Sequence, residues 1–174
     1  MTAEPVITGR EHWTHKGSIK LCTLENFLRS QLHEESGGDN LHIARETFAA
    51  WNAHDVEGFL KRLDTKTSWE SDAFLAPFTG HEGARQFFKV YVTAFPDLHL
   101  DIEQILAAGD NHVVVRWRSS GTHLGNLGDI PATGRKASNH GCTVMEVKNN
   151  KVGHAWVYFD NAHLLRQIGV LPSS

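Results

Sequence analysis

Pro96 divides this chain into two stretches with different periodicities, and that order limits which folds are open to it. Before Pro96 the apolar residues recur at helical spacing. Asn40 is placed to cap a helix carrying Ile43, Thr47, Phe48 and Trp51 along one stripe, and Asp55 to cap a second that buries Phe59, Leu60 and Leu63. The two helices meet at residues 52–54. Residues 65–78 read as irregular, with TSWES alternating as a short strand would. The run GHEGARQFFKVYVTAFP then returns to helical spacing, with Ala84, Phe88, Tyr91 and Phe95 on its buried face.

A proline cannot continue a helix, and after Pro96 the segments LHLDIEQIL, NHVVVRWRSSGTH, KASNHGCTVMEV and KVGHAWVYFD are rich in β-formers. Short Gly/Asn/Asp turns, AAGDN and VKNNKV, join two of the pairs as antiparallel hairpins require, and LGNLGDIPATGR makes a longer excursion. Helices first and a strand meander after them predict an α+β domain, its helices covering one face of a curved antiparallel sheet. Upstream, residues 1–20 read as an extended arm, and Leu24, Phe27, Leu28 and Leu32 as an added helix ended by HEESGGDN. The expected division is therefore an N-terminal extension over 1–39 and one domain over 40–174.

Composition narrows the function classes. At 40% hydrophobic and 21% charged with a net charge of −3, the chain has enough apolar content for a core and none of the basic excess that nucleic acids demand. Cys22 and Cys142 lie far apart without CxxC spacing, so neither a disulfide framework nor a zinc ribbon is expected. No run is long enough to span a membrane, and MTAEPVITGREHW lacks the order of a signal peptide; the expected location is the cytoplasm. Despite twelve histidines, no HExxH or Cys/His knuckle occurs, so no metal is expected. A GxGxxG unit between strand and helix and a Ser nucleophile elbow are both missing.

Four features in order, FAAWNAHDVEGF, TGHEGARQFF, GTHLG with IPATGR, and WVYFD with LLRQIG, resemble the SnoaL-like polyketide cyclase group of the NTF2-like superfamily over about residues 40–170. The resemblance implies a cone of bent sheet and helices, a pocket for a small hydrophobic organic ligand, no cofactor, and a homodimer formed through the outer face of the sheet. In such aldol cyclases an acid on the last long strand removes a proton from carbon, and a His and a Gln on the neighbouring strand bind substrate oxygens. Counting back from LLRQIG puts Val157 at the acid's position, and Thr143 and Gly141 at those of the His and the Gln. Valine has no titratable atom, so that proton transfer is not expected here.

Strand alternation assigns His140, Cys142, Val144 and Glu146 to one face and Gly141, Thr143 and Met145 to the other; on the next strand His154, Trp156 and Tyr158 oppose Ala155, Val157 and Phe159. The resemblance puts the second set inside. Trp156 and Tyr158 then suit an interface. Trp51, Trp69 and Tyr91 are amphipathic rings able to stack on a flat ligand, and with Thr143, Met145 and Val157 they form the expected substrate-binding set. The candidate proton carriers are His123, beside the expected pocket mouth, His140, which could pair with His154 as a relay, and Asp160, the carboxylate nearest the missing acid and also a plausible helix cap.

These features predict a cofactor-independent cyclase or isomerase acting on a hydrophobic, polyketide-like or terpenoid-like biosynthetic intermediate. A non-catalytic ligand-binding cone that has lost the family acid is the alternative, and an epoxide or lactone hydrolase a second one.

Overall fold

Helix α1 covers residues 39–52 of a computed structural model in which residues 39–172 are described. The arm expected over residues 1–20 and the helix expected from Leu21 lie outside the described residues. Ile43, Thr47, Phe48 and Trp51 are all buried, as their spacing predicts. Asn40 is not the cap. It lies within the helix, and its side-chain amide donates to the Asp110 carbonyl at 2.9 Å, tying α1 to the turn at residues 109–111. At the other end of α1, the Asn52 side chain donates to the Leu100 carbonyl at 3.0 Å and accepts from the Leu100 N–H at 2.8 Å. This two-point bond fixes the helix against an edge strand.

Helix α2, Val56–Lys61, starts at Asp55, whose carboxylate accepts from the Gly58 N–H as an N-cap should. Strand β1 follows at once as Leu63–Ser71, so Leu63, expected on the second helix, opens a strand that runs through the first seven residues of the segment expected to be irregular. Its polar stretch 64–66 hides the alternation, which is plain only from Thr67 and Trp69, both buried. Strand β2 is the short Phe78–Thr79, and helix α3 is Gly80–Ala94. Helix α3 buries Phe87 in addition to the predicted Ala84 and Phe88, and Phe95, just before Pro96, ends it.

The remaining strands follow the sequence pattern: β3 His99–Ala108, β4 His112–Thr122, β5 Lys136–Lys148 and β6 Lys151–Phe159. They form an antiparallel meander, and the β5–β6 turn places Asn149 and Asn150 both at positive φ, as a tight hairpin needs. β1 joins the meander parallel to β6, giving one curved six-stranded sheet in the order β2-β1-β6-β5-β4-β3. Helix α4, Asn161–Gln167, is capped by Asp160. The core lies between the helices and the inner face of the sheet, centred on Phe59, Phe88 and Met145. No helix among the described residues is long and apolar enough to cross a membrane.

Candidate functional site

Alternation along β5 and β6 sorts side chains as the sequence predicts. Thr143, Met145, Ala155 and Val157 are buried inward, and His140 and Tyr158 are exposed on the outer face. Between the inward face and helices α1 and α3 the packing leaves a cavity. Its open interior measures about 90 Å³, and the whole concavity, mouth and crevices included, about 760 Å³.

The helical wall is aromatic. Trp51 comes from α1, and Phe87 and Tyr91 from α3, their rings in edge or tilted contact. The sheet wall is made by Trp69, Trp117, Thr143, Met145, Val157 and Phe159, and the serines and Asn139 of the β4–β5 ends line one end. All six residues expected to bind substrate, Trp51, Trp69, Tyr91, Thr143, Met145 and Val157, therefore border one space.

Trp117 organises the sheet wall. Its indole N–H donates to the Thr143 hydroxyl at 2.9 Å, and its six-membered ring lies across Gly141, where a Cβ would come within 2.3 Å of two ring carbons. Gly141 thus provides the space that the indole fills. The sequence reasoning passed over Trp117, although VVVRWR carries the signal: Val113, Val115 and Trp117 alternate onto the inner face together.

The cavity holds almost no titratable chemistry. Among the described residues, Tyr91 is the one ionisable side chain on its wall, and burial pushes that phenol well above its ordinary range, so it is a neutral hydroxyl at physiological pH. Polar groups are present nonetheless. Asn139 donates to the Asp160 carbonyl at 2.8 Å, and the buried Trp69 indole N–H has no partner among the described residues.

None of the three expected proton carriers borders the cavity. His140 stands on the outer face with its side chain 63% exposed, 3.5 Å from the Glu103 carboxylate. The expected relay with His154 does not form, because Glu146 is the residue opposite His154 and His140 lies six residues further along β5. His154 instead bonds Glu70 at 2.6 Å and stacks on Trp156, ring centres 3.9 Å apart. Asp160 caps α4, accepting from the His163 N–H at 2.8 Å. His123 is wholly buried behind the cavity wall, its ring 5.3 Å from that of Phe95 and its Nδ1 3.1 Å from the Thr133 hydroxyl. Burial lowers its pKa, and its Nε2 has no partner among the described residues. Among the described residues no group of three His, Cys, Asp or Glu gathers in a way that could hold a metal.

The sequence matches the family of SnoaL-like polyketide cyclases over residues 42–168. This chain belongs to the SnoaL-like polyketide cyclase family. The fold agrees with that membership. AclR, a proposed hydroxylase from Streptomyces galilaeus, superposes with a TM-score of 0.69 at 25% identity, covering 79% of this chain and 85% of its own. A proposed SnoaL-like polyketide cyclase from Jannaschia sp. CCS1 gives 0.71 at 19% identity, covering 78% and 94%. IdmH, a proposed polyketide cyclase from Streptomyces antibioticus, gives 0.65 at 22%, covering 75% and 99%. No curated protein sequence matches. Among the described residues the cavity is bordered by an indole seated over a glycine, a threonine and a valine, with neither carboxylate nor imidazole.

Proposed function

We propose that the protein is a cofactor-independent cyclase or isomerase that folds a hydrophobic biosynthetic intermediate, polyketide-like or terpenoid-like, inside this cavity. The observation that carries the proposal is the aromatic cavity itself, bordered by Trp51, Trp69, Tyr91 and Trp117, in a member of a cyclase family. With Val157 where the family acid is expected and no base on the wall among the described residues, the rate enhancement comes from water exclusion, from holding one substrate conformation, and from neutral hydroxyl donors that stabilise charge developing on a substrate oxygen. Of the three expected proton carriers, His140 and Asp160 drop out of this proposal because they face away from the cavity or cap a helix. His123 is left as a brace behind Phe95. Ring formation from a poly-β-ketone intermediate, followed with and without purified protein, tests the proposal; equal rates refute it.

A second reading, ligand binding without turnover, is favoured by the lack of any carboxylate or imidazole on the wall among the described residues. It predicts micromolar or tighter binding of such intermediates with no product formed beyond the spontaneous rate. In either case we place the protein in the cytoplasm as a homodimer joined through the outer sheet face, where Tyr158 is half exposed beside the Trp156–His154 stack. Sedimentation should give twice the chain mass, and Tyr158→Glu should reduce it to one chain; an unchanged mass for that variant would exclude this face.

A further inference from the structure

The Thr143 hydroxyl is 97% buried by its residue's 3% exposure, borders the cavity, and accepts the Trp117 indole N–H at 2.9 Å. Among the described residues it finds no acceptor for its own proton. A hydroxyl that accepts one bond and has nowhere to donate carries an unmet donor, and burying such a group is costly unless something supplies an acceptor. The bond from the indole also polarises the hydroxyl and makes it a stronger donor. Because the Thr143 oxygen is bound on the Trp117 side, its proton turns away from the indole. The indole is itself held by Gly141, over which its ring lies, and by Phe159, ring centres 6.4 Å apart.

We propose that Thr143, oriented by Trp117, is the polar anchor of the cavity, donating its proton to an uncharged carbonyl oxygen on a ligand whose flat apolar body lies between the aromatic walls. Thr143 is the group that touches the ligand, and Trp117 is a positioning residue. The anchor selects acceptors: a ketone is held where the corresponding hydrocarbon is merely accommodated. Charged ligands are disfavoured, since the wall carries no counter-ion of either sign among the described residues. This inference rests on the reading of the cavity as a ligand site.

The test uses two probes of the same shape, fluorenone and fluorene, and compares the ratio of their affinities across variants, so that differences in the hydration of the probes cancel. In Thr143→Val the fluorenone preference should fall about fivefold, the factor a neutral hydrogen bond is worth. Thr143→Ser, which keeps the hydroxyl, should restore it. Trp117→Phe should also lower the ratio although the hydroxyl is still present, and Tyr158→Phe, on the outer face of the sheet, should leave it alone. In the infrared the bound fluorenone carbonyl stretch should lie below its value in hexane, and that shift should vanish in Thr143→Val. An unchanged ratio or carbonyl stretch in Thr143→Val, or a loss confined to Tyr91→Phe, overturns the anchor; an unchanged ratio in Trp117→Phe overturns the positioning role. If both probes bind equally well, the anchor fails and the cavity stands as a ligand site. If neither binds, the cavity reading falls and the anchor falls with it.

Discussion

Adding a single methyl group at Gly141 tests the account of the cavity wall directly. In Gly141→Ala the new Cβ would stand 2.3 Å from two carbons of the Trp117 ring and 2.8 Å from a third. All three distances are well inside van der Waals contact. The ring cannot simply swing aside, because it is buried, packed towards Phe159, and tethered to Thr143. Overpacking of this kind costs about 1–3 kcal/mol, and losing the indole–hydroxyl bond adds about 1 kcal/mol. Against this, alanine in a strand gains roughly 0.5–1 kcal/mol over glycine, since Gly141 has no positive φ that only glycine could adopt. The net expectation is a loss of about 2 kcal/mol. With a urea dependence of roughly 2 kcal/mol per molar, the unfolding midpoint falls by about 1 M. The control is the same change in a Trp117→Leu background, where the ring is gone and Gly141→Ala should be nearly neutral. A full penalty in that background, or none in the parent, would show that Gly141 is not there to seat the indole.

Three further outcomes follow from the same structure. Replacing the α2 cap, Asp55→Ala, leaves the Gly58 N–H unpartnered and should lower stability by about 1 kcal/mol in urea unfolding, with no effect on probe binding. Burial raises the Tyr91 phenol, so the stability linked to it is complete below the unfolded value near 10 and lost as pH rises past it, because the unfolded chain ionises first. An alkaline absorbance titration should show a late component that Tyr91→Phe removes; without such a component, the burial of that hydroxyl is disproved. Burial lowers His123, and the sign reverses: stability is present above the unfolded value near 6.5 and declines as pH falls through it, because the unfolded chain takes up the proton first. Urea midpoints between pH 8 and 5 should fall less steeply in His123→Leu than in the parent, and identical slopes would show that His123 does not contribute.

Much of this protein was legible in the chain because the relevant signals are local. Asp55 caps α2, Pro96 follows the end of α3, and the twin asparagines at 149–150 make the β5–β6 hairpin; each needs only neighbouring residues to act. Strand alternation is local too, and it separated Thr143 and Val157 from His140 and Tyr158 correctly. The six residues expected to bind ligand border one cavity because inward-facing aromatic and apolar positions at helix and strand spacing converge on the one face the helices cover.

Other features depended on residues distant in the chain. Asn40 looks like a cap until the Asp110 carbonyl is beside it, seventy residues away. β1 reveals itself as a nine-residue strand only because β6 supplies a parallel partner for it. The sequence already offered Asp160 as a helix cap and put His140 on the face opposite Thr143; only the fold put His123 against Phe95. The pairing of Trp117 with Gly141 and Thr143 was likewise decided in three dimensions. The β4–β5 register sets Trp117 opposite Gly141, and the missing Cβ turns that register into a seat for an indole. The sequence by itself determined which side chains share a face, since that needs only the period of two along a strand. Tertiary structure decided which of those side chains meet, since that depends on strand register and on the space each neighbour leaves.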